Sequence, residues 1–484
     1  MTALPAPAQW VIHKMSEPEV AEMIERHIDF VDDEGRSVHL PSKFVRHYMN
    51  RDDGALPTLV AISTLPIVLA DGHMLAPDGL DRDRGIAFIV EPELRKLLPD
   101  SKACTKQAVG EAMRFLTDEW LADVAADYTG KCTLIATALT IIERSLLDQR
   151  PAFFVTAGRR GSGKTTTLTM LVEAVTGIAP AAFAWSSNEE ERRKALMSYL
   201  LSGIAYILWD NIPRGTQISC PHIEKSCTAA YYADRRLGVS EMVLTAAASI
   251  HLFTGNNIAP KGDLASRSLQ VRLDVDRIDP ENRDFKHPDP IGWTRANRAE
   301  ILRALYVILL GNPTLDLPRE AAMKTRFKMW WRIIGSAVEH AAQCEAETDP
   351  DRGEIPDQVL DFGALFLDQE ADDEDATSLA EMLYALDQAM AERDTSLGRK
   401  KQAYKAADVT ELLNASSLST NTLIVRGFLF PTQPPGTPVT TKGVGKRLKA
   451  HVGEPVQYAG KTFVLRSMMD KHAGAYTFHT EVVK

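Results

Sequence analysis

The segment PAFFVTAGRRGSGKTTTLTMLVEAVTG, which begins at Pro151, constrains the fold more than any other stretch of the chain. It reads as a buried strand, a glycine-rich loop and a helix. AFFVTA is a continuous apolar run of the kind that fills an internal parallel strand. The loop from Gly158 to Thr165 fits the pattern G-x-x-x-x-G-K-[ST]. Its glycines let the backbone curl until successive N–H groups point at one anionic group, beside the positive end of the following helix. Gly158, Gly161, Ser162, Gly163, Lys164, Thr165 and Thr166 are therefore the candidate ligands of ATP, with the Lys164 ammonium against the outer phosphates and the Thr165 hydroxyl offered to Mg²⁺. A chain built around this unit is expected to be α/β, a parallel sheet with helices on its faces.

Such a loop needs an acidic partner for the metal at the end of a neighbouring strand. The run YILWDN, Tyr206 to Asn211, supplies Asp210. A second acid usually follows to polarise the attacking water, and here that position holds Asn211. A strand-end Asp-Asn turn has the same residues. The third apolar run, SIHLFTGNN, ends in Asn256 and Asn257. An amide there can orient water beside the γ-phosphate, and spacing favours Asn256; a strand-to-loop cap is the alternative. The stretch GDLASRSLQVR then offers Arg267, placed either to reach the γ-phosphate of an adjacent subunit or to form a surface ion pair, and Arg272, expected to brace the fold. Lys164, Asp210, Asn211, Asn256 and Arg267 form the candidate catalytic set, and Thr165 and Asp210 the candidate Mg²⁺ ligands.

At 484 residues the chain is too long for one compact core. Composition and periodicity divide it into a mixed α/β segment (1–103), a helical collar (104–150), the nucleotide-binding core (151–280), a helical subdomain (281–344), an acidic connector with a helix (345–400) and a basic terminal segment (401–484). Asp71-Gly72, between LPIVL and HMLA, signals a hairpin. The net charge of −10 hides an asymmetry. Residues 345–375 carry 13 acids against Arg352 alone, whereas 395–484 carry 13 Lys/Arg against 5 Asp/Glu. A basic unit behind an acidic connector points to a polyanion partner; a solvated surface has the same composition. In that unit two helical stretches, 403–414 and 443–451, precede two β-like runs, 462–466 and 475–480, the layout of a winged helix-turn-helix. Lys442, Lys446, Arg447 and Lys449 lie on its expected recognition helix, facing either a DNA backbone or solvent.

No apolar run reaches the length of a membrane span, and the opening MTALPAPAQWVIHKM lacks the layout of a secretory signal. Five scattered cysteines suit a reducing cytoplasm. Cys220, His222 and Cys227 do not have a standard zinc spacing and are expected as buried thiols and a polar neighbour. Trp330 and Trp331 recur with helical apolar spacing and are expected in a core.

Taken in order, the loop, Asp210, Asn256 and Arg267 resemble the AAA+ ATPases, and more closely the superfamily 3 helicases. The ordered set covers 151–275. The stretches FTGNNIAPKGDLASRSL, NRDFKHPDPIGWTRANRAEIL and TRFKMWWRIIGSAVEHA resemble those of helicases carried by phages, plasmids and integrative elements, often fused to a primase; that wider resemblance runs from Pro41 to the C-terminus. The resemblance implies a hexameric ring that hydrolyses ATP, moves on single-stranded DNA and opens a forked duplex. It implies that the insert Tyr231 to Thr245 forms a DNA-tracking hairpin with Arg235 and Arg236 on it. The chain departs from the pattern at Asn211, which leaves the hydrolytic carboxylate to Asp210 or to Glu189, Glu190, Glu191 or Glu224. It also shows no primase-like segment, so a primase would be a separate chain. Three other readings stay open: a nucleotide-switched DNA initiator or loader without unwinding, a phosphotransferase (for which no acceptor lid is evident), and a defence ATPase of a mobile element.

Overall fold

The computed structural model describes residues 10, 12–13, 15–51, 58–158, 161–235, 242–274, 285–317, 325–348, 360–371, 374–396, 398, 403–431, 433, 437–453, 455–458, 461–470 and 475–483. The chain divides into two compact units, Met1–Ala259 with Arg267–Leu365, and Pro260–Ser266 with Phe366–Lys484.

The first unit opens with α1 (Glu17–Glu25) and α2 (Ser42–Met49), followed by β1 (Ala61–Ser63), β2 (Ile67–Val68), β3 (Met74–Leu75), β4 (Gly79–Asp81), β5 (Ile86–Phe88) and α3 (Pro92–Leu97). The Asp-Gly hairpin is present: β2 and β3 pair antiparallel, and Gly72 takes the positive φ of 81° that closes the turn. Then come α4 (Lys106–Arg114) and α5 (Tyr128–Glu143). α5 is apolar on nearly every side and buried along most of its length. Its hydroxyls are satisfied locally, Thr133, Thr137 and Thr140 each donating to the carbonyl four residues back at 2.6–2.9 Å.

The centre of this unit is a five-stranded sheet of β6 (Ala152–Ala157), β7 (Ala182–Ala184), β8 (Tyr206–Ile212), β12 (Ile250–Asn256) and β14 (Ser268–Leu273). Its order is β14-β6-β12-β8-β7 and every pairing is parallel. Helices α6 (Lys164–Thr176) and α7 (Glu189–Leu201) make the crossovers from β6 to β7 and from β7 to β8, as a parallel sheet requires. Between β8 and β12 lie β9 (Gln217–Ile218), α8 (Pro221–Thr228), β10 (Tyr231–Arg235) and β11 (Met242–Ala246); β13 (Ala259–Pro260) follows β12. All six residues of β6 are buried, the both-faces burial that the run AFFVTA predicts. Helices α9 (Pro290–Ala296) and α10 (Arg298–Leu310) fix the far end of α6: Arg298 donates to the carbonyls of Ala174 and Val175, both at 3.0 Å, and Arg295 clasps the buried Glu173 carboxylate at 2.8 Å. The short α11 (Lys328–Trp330) and α12 (Ser336–Thr348) follow. Trp330 is fully buried and donates to Thr140 Oγ1 at 2.8 Å, while Trp331 is half-buried against Glu339.

Beyond α13 (Phe362–Ala371), the second unit contains α14 (Glu374–Ser396), β15 (Tyr404–Lys405), α15 (Ala406–Leu413), α16 (Thr420–Leu429), α17 (Thr441–Ala450), β16 (Pro455–Tyr458), β17 (Lys461–Asp470) and β18 (Ala475–Val483). The four strands form an antiparallel sheet in the order β15-β18-β17-β16. Leu383 and Leu386 of α14 share one core with Val409, Val425, Val444, Leu448, Phe463 and Phe478. Among the described residues, no helix is long and apolar enough to cross a membrane.

Candidate functional site

β6 and β12 are neighbours, yet the chain leaves their carboxyl ends in opposite directions, β6 towards β7 at one edge and β12 towards β14 at the other. In parallel sheets that divergence opens a crevice at the strand ends, where ligands bind. The glycine-rich loop leaves β6 there. Gly161 and Gly163 hold positive φ of 75° and 85°, values open to glycine at no steric cost. Gly163 caps α6, whose first residue is Lys164. Arg159 and Arg160, inside the loop, lie outside the described residues. Ser162 is buried, Thr165 is exposed on the first turn of α6 and Thr166 is half-buried.

Lys164 Nζ donates to Asn256 Oδ1 at 2.8 Å, 92 residues away in sequence, and lies 3.5 Å from Ser162 Oγ. Burial lowers the Lys164 pKa, and the Asp210 carboxylate opposes that shift. Three side chains expected from sequence, Lys164, Asp210 and Asn256, are thus brought together from the ends of β6, β8 and β12.

Asn211 is exposed and stands at a φ of 56°. β12 pairs Phe253 with Trp209 and then Gly255 with Ile212, so Asp210 and Asn211 together face Thr254. This is a β-bulge, which bends a strand and re-aims its side chains. Asn211 N–H donates to Asp210 Oδ1 at 2.6 Å, pinning one oxygen of that carboxylate. The bulge carries Ile212 onto β12, where a Cβ on Gly255 would stand 3.2 Å from the Ile212 carbonyl and 2.7 Å from Ile258 Cγ2. Asn257 repeats the device at the end of β12, with a φ of 50° and its N–H given to the Ala157 carbonyl at 3.0 Å.

Arg267 is half-buried and donates through Nη1 to the Glu224 carbonyl at 2.6 Å and to Thr228 Oγ1 at 3.3 Å, capping the last turn of α8. Arg272, expected to brace the fold, is exposed, because strand alternation sends Val271 and Leu273 into the core and Arg272 out. The four candidate carboxylates have other partners. Glu224 accepts from Ser219 Oγ and Cys220 N, Glu190 pairs with Arg193, Glu191 pairs with Lys194, and Glu189 stands 3.9 Å from His222.

Beneath the site lies an aromatic layer in which Phe154 stacks on Phe253 at 4.4 Å and Trp185 meets Trp209 edge-on at 5.7 Å. Arg235 is exposed at the end of β10, which pairs antiparallel with β11; Arg236 lies outside the described residues. In the second unit Lys446 is exposed on α17, whereas Arg447 is half-buried and stacks on the Phe430 ring at 4.1 Å. Cys220 and Cys227 are buried thiols at the two ends of α8, and His222 Nδ1 is 3.0 Å from the Tyr232 hydroxyl. A cavity lined by Trp10, Ile62, Arg144, Phe183 and Tyr206 lies at the amino ends of β7 and β8, the edge of the sheet opposite Lys164.

Arg214, which is not among the residues expected from the sequence, also reaches the loop. It sits in the turn that leaves the bulge and donates through Nη2 to the Gly158 carbonyl at 3.4 Å. The signal was Pro213-Arg214-Gly215, a turn tripeptide directly after a strand.

No protein-family model matches the chain, and no curated protein matches its sequence. Among solved structures, the apo A form of the NrS-1 C-terminal region aligns over 92% of this chain and 91% of its own, at 12% identity and a TM-score of 0.37. A second structure of that region, residues 305–718, aligns over 93% and 92% at 13% identity and the same TM-score. A JCV helicase with a bound small molecule aligns over 57% of this chain and 76% of its own, at 14% identity and a TM-score of 0.23. At such TM-scores the likeness carries no weight for function.

Proposed function

We propose that this chain is an ATP-dependent DNA helicase of the AAA+ class, the ring-forming replicative helicase of a mobile genetic element, and that it couples ATP hydrolysis to movement on single-stranded DNA. The observation that carries the reading is the meeting of Lys164, Asp210 and Asn256 at the ends of three adjacent parallel strands beside a glycine-rich loop. A lysine, a carboxylate and an amide in that crevice are what binding and cleaving a polyphosphate requires. The donor set also suits Mg²⁺: the Thr165 hydroxyl and the second oxygen of Asp210 are hard ligands, and this ion keeps several waters and completes its shell with phosphates.

In this reading the loop from Gly158 to Thr166 cradles the phosphates and Asn256 orients the attacking water. Arg267 completes the site of a neighbour in a hexamer, for which it must leave the end of α8. Arginine fingers are worth roughly 10³–10⁵ in rate. The β10–β11 hairpin tracks the strand through Arg235 and Arg236. The second unit, in which α15, α16 and α17 precede β16, β17 and β18, acts as a winged-helix module whose Lys446 and Arg447 meet duplex DNA. A separate primase is its partner on forked DNA, in the cytoplasm, where the five free thiols stay reduced.

The test is Mg-ATP turnover with and without single-stranded DNA, alongside unwinding of a forked duplex. Lys164→Ala is expected to lower both by roughly two orders of magnitude while circular dichroism stays unchanged. Unwinding that survives this substitution overturns the assignment. A second reading, a nucleotide-switched initiator or loader, is favoured by the other partners that Glu189, Glu190, Glu191 and Glu224 already have. Assembly on DNA with ATP but without turnover decides for it.

A further inference from the structure

The geometry points to Arg214 as a further cation of the nucleotide site, one that contacts the terminal phosphate and is delivered there by the left-handed turn at Asn211. The inference rests on the ATP-binding reading given above. Arg214 is exposed and 56 residues from the loop in sequence, yet its guanidinium reaches the carbonyl of Gly158, the first residue of that loop. The later residues of such a loop, 161 to 165, direct their N–H groups at the β-phosphate. A group at Gly158, level with the carboxyl end of β12, therefore stands on the side of the outermost phosphate.

The turn that carries Arg214 is built to stay there. Gly215 N–H donates to the Asn256 backbone carbonyl at 3.0 Å, and Thr216 N–H closes the turn on Pro213 at 3.2 Å. Gly215 itself needs a φ of 75°. The bulge two residues earlier sets the direction of this exit. A regular strand would set residue 212 opposite Asn256, whereas the extra residue at 210–211 brings Ile212 back opposite Gly255 before the chain turns towards the loop. Asparagine tolerates the left-handed conformation that this bend demands and most residues do not. Asn211 is thus a positioning residue that acts through Asp210 and Arg214. The Arg214 guanidinium donates to a neutral carbonyl at 3.4 Å. A γ-phosphate offers it a charge-assisted and bidentate partner instead.

The experiment compares Mg-ATP with Mg-ADP binding by calorimetry, so hydrolysis is not needed to read it. Loss of a hydrogen bond to a charged group corresponds to about tenfold or more in affinity. Arg214→Ala is expected to weaken ATP by that factor and leave ADP unchanged, with Arg214→Lys in between. Asn211→Val should lose the same discrimination and Asn211→Gly the least, since glycine adopts the turn without an amide. An ATP:ADP affinity ratio in Arg214→Ala equal to that of the wild type overturns the assignment. Lys164→Ala, which should lose both nucleotides, separates the two conclusions. A wild-type chain that binds neither nucleotide sinks the ATP reading and this one with it, whereas binding lost only in Lys164→Ala sinks Arg214 alone.

Discussion

His251, on β12 beneath the site, has no room for a second proton. Its Nδ1 lies 3.2 Å from the Trp209 indole N–H and its Nε2 2.7 Å from Ser226 Oγ, which in turn donates to the Ile223 carbonyl at 2.8 Å. An indole nitrogen only donates, so Nδ1 accepts and Nε2 carries the hydrogen, which fixes the neutral tautomer. Burial, and secondarily the charge of Arg150, push the His251 pKa from 6.5 down to about 3. The unfolded chain takes up this proton below pH 6.5 and the folded chain does not. Stability is therefore whole above pH 6.5 and is lost as pH falls from there towards 3. Between pH 7.5 and 5.5 this one group should cost about 1.4 kcal/mol. Urea unfolding of wild type and His251→Gln at the two pH values checks it. The variant, less stable at pH 7.5, should fall by that much less on acidification. Parallel losses would mean that the imidazole titrates in the folded chain.

Elements couple the site to its surroundings. Arg193 of α7 donates through Nη1 to Asp234 Oδ1 at 2.5 Å and through Nη2 to Glu190 at 2.9 Å, and Tyr232 of the same hairpin strand reaches Asp234 Oδ2 at 3.3 Å. α7 follows β7, whose last residue pairs with Asp210, so the β10–β11 hairpin is tied to a helix that starts beside the site. Asp234→Asn takes from Arg193 the more buried of its two carboxylates and leaves Glu190, at a cost of about 1 kcal/mol. Amide exchange at 231–235 and 242–246 should quicken while β6 and β12 keep their protection. Unchanged exchange in the hairpin would sink the link. The hairpin was expected from the family resemblance, whereas β6, β8 and β12 were legible in the sequence itself, because a buried parallel strand is an uninterrupted apolar run. The bulge was not, since its two residues against one depend on register with a strand some 40 residues on. Nor were the contacts of Arg267, which depend on where the end of α8 stands. Helix α16 escaped notice because TNTLIVRGFL is rich in β-branched residues and contains Gly427; its one plain signal was Ser419, whose side chain accepts the Thr422 N–H.

Across the whole molecule, net charge is a poor guide to where a polyanion binds. The chain carries −10, yet α17 holds Lys442, Lys446 and Lys449 exposed while Val444 and Leu448 turn into the core. The four basic residues of this helix are not equivalent. Arg447 stacks on Phe430, and the Lys449 amine lies over the Tyr476 ring at 4.5 Å. Phosphate contact by this helix would release counterions, and each neutralised phosphate contributes about 0.9 to the slope of log affinity against log salt. Replacing Lys442, Lys446 and Lys449 together by glutamine should therefore lower that slope for duplex DNA by about 2–3. Arg447→Ala should act differently, destabilising the second unit by roughly 0.5–1 kcal/mol through the lost ring contact and changing the slope by at most one phosphate's share. Fluorescence anisotropy of labelled duplex between low and moderate salt, with melting curves for each variant, separates the two effects. A triple variant with the wild-type slope would remove α17 from the DNA-facing surface, and a slope that falls only with Arg447→Ala would move the contact to the Phe430 side of the helix.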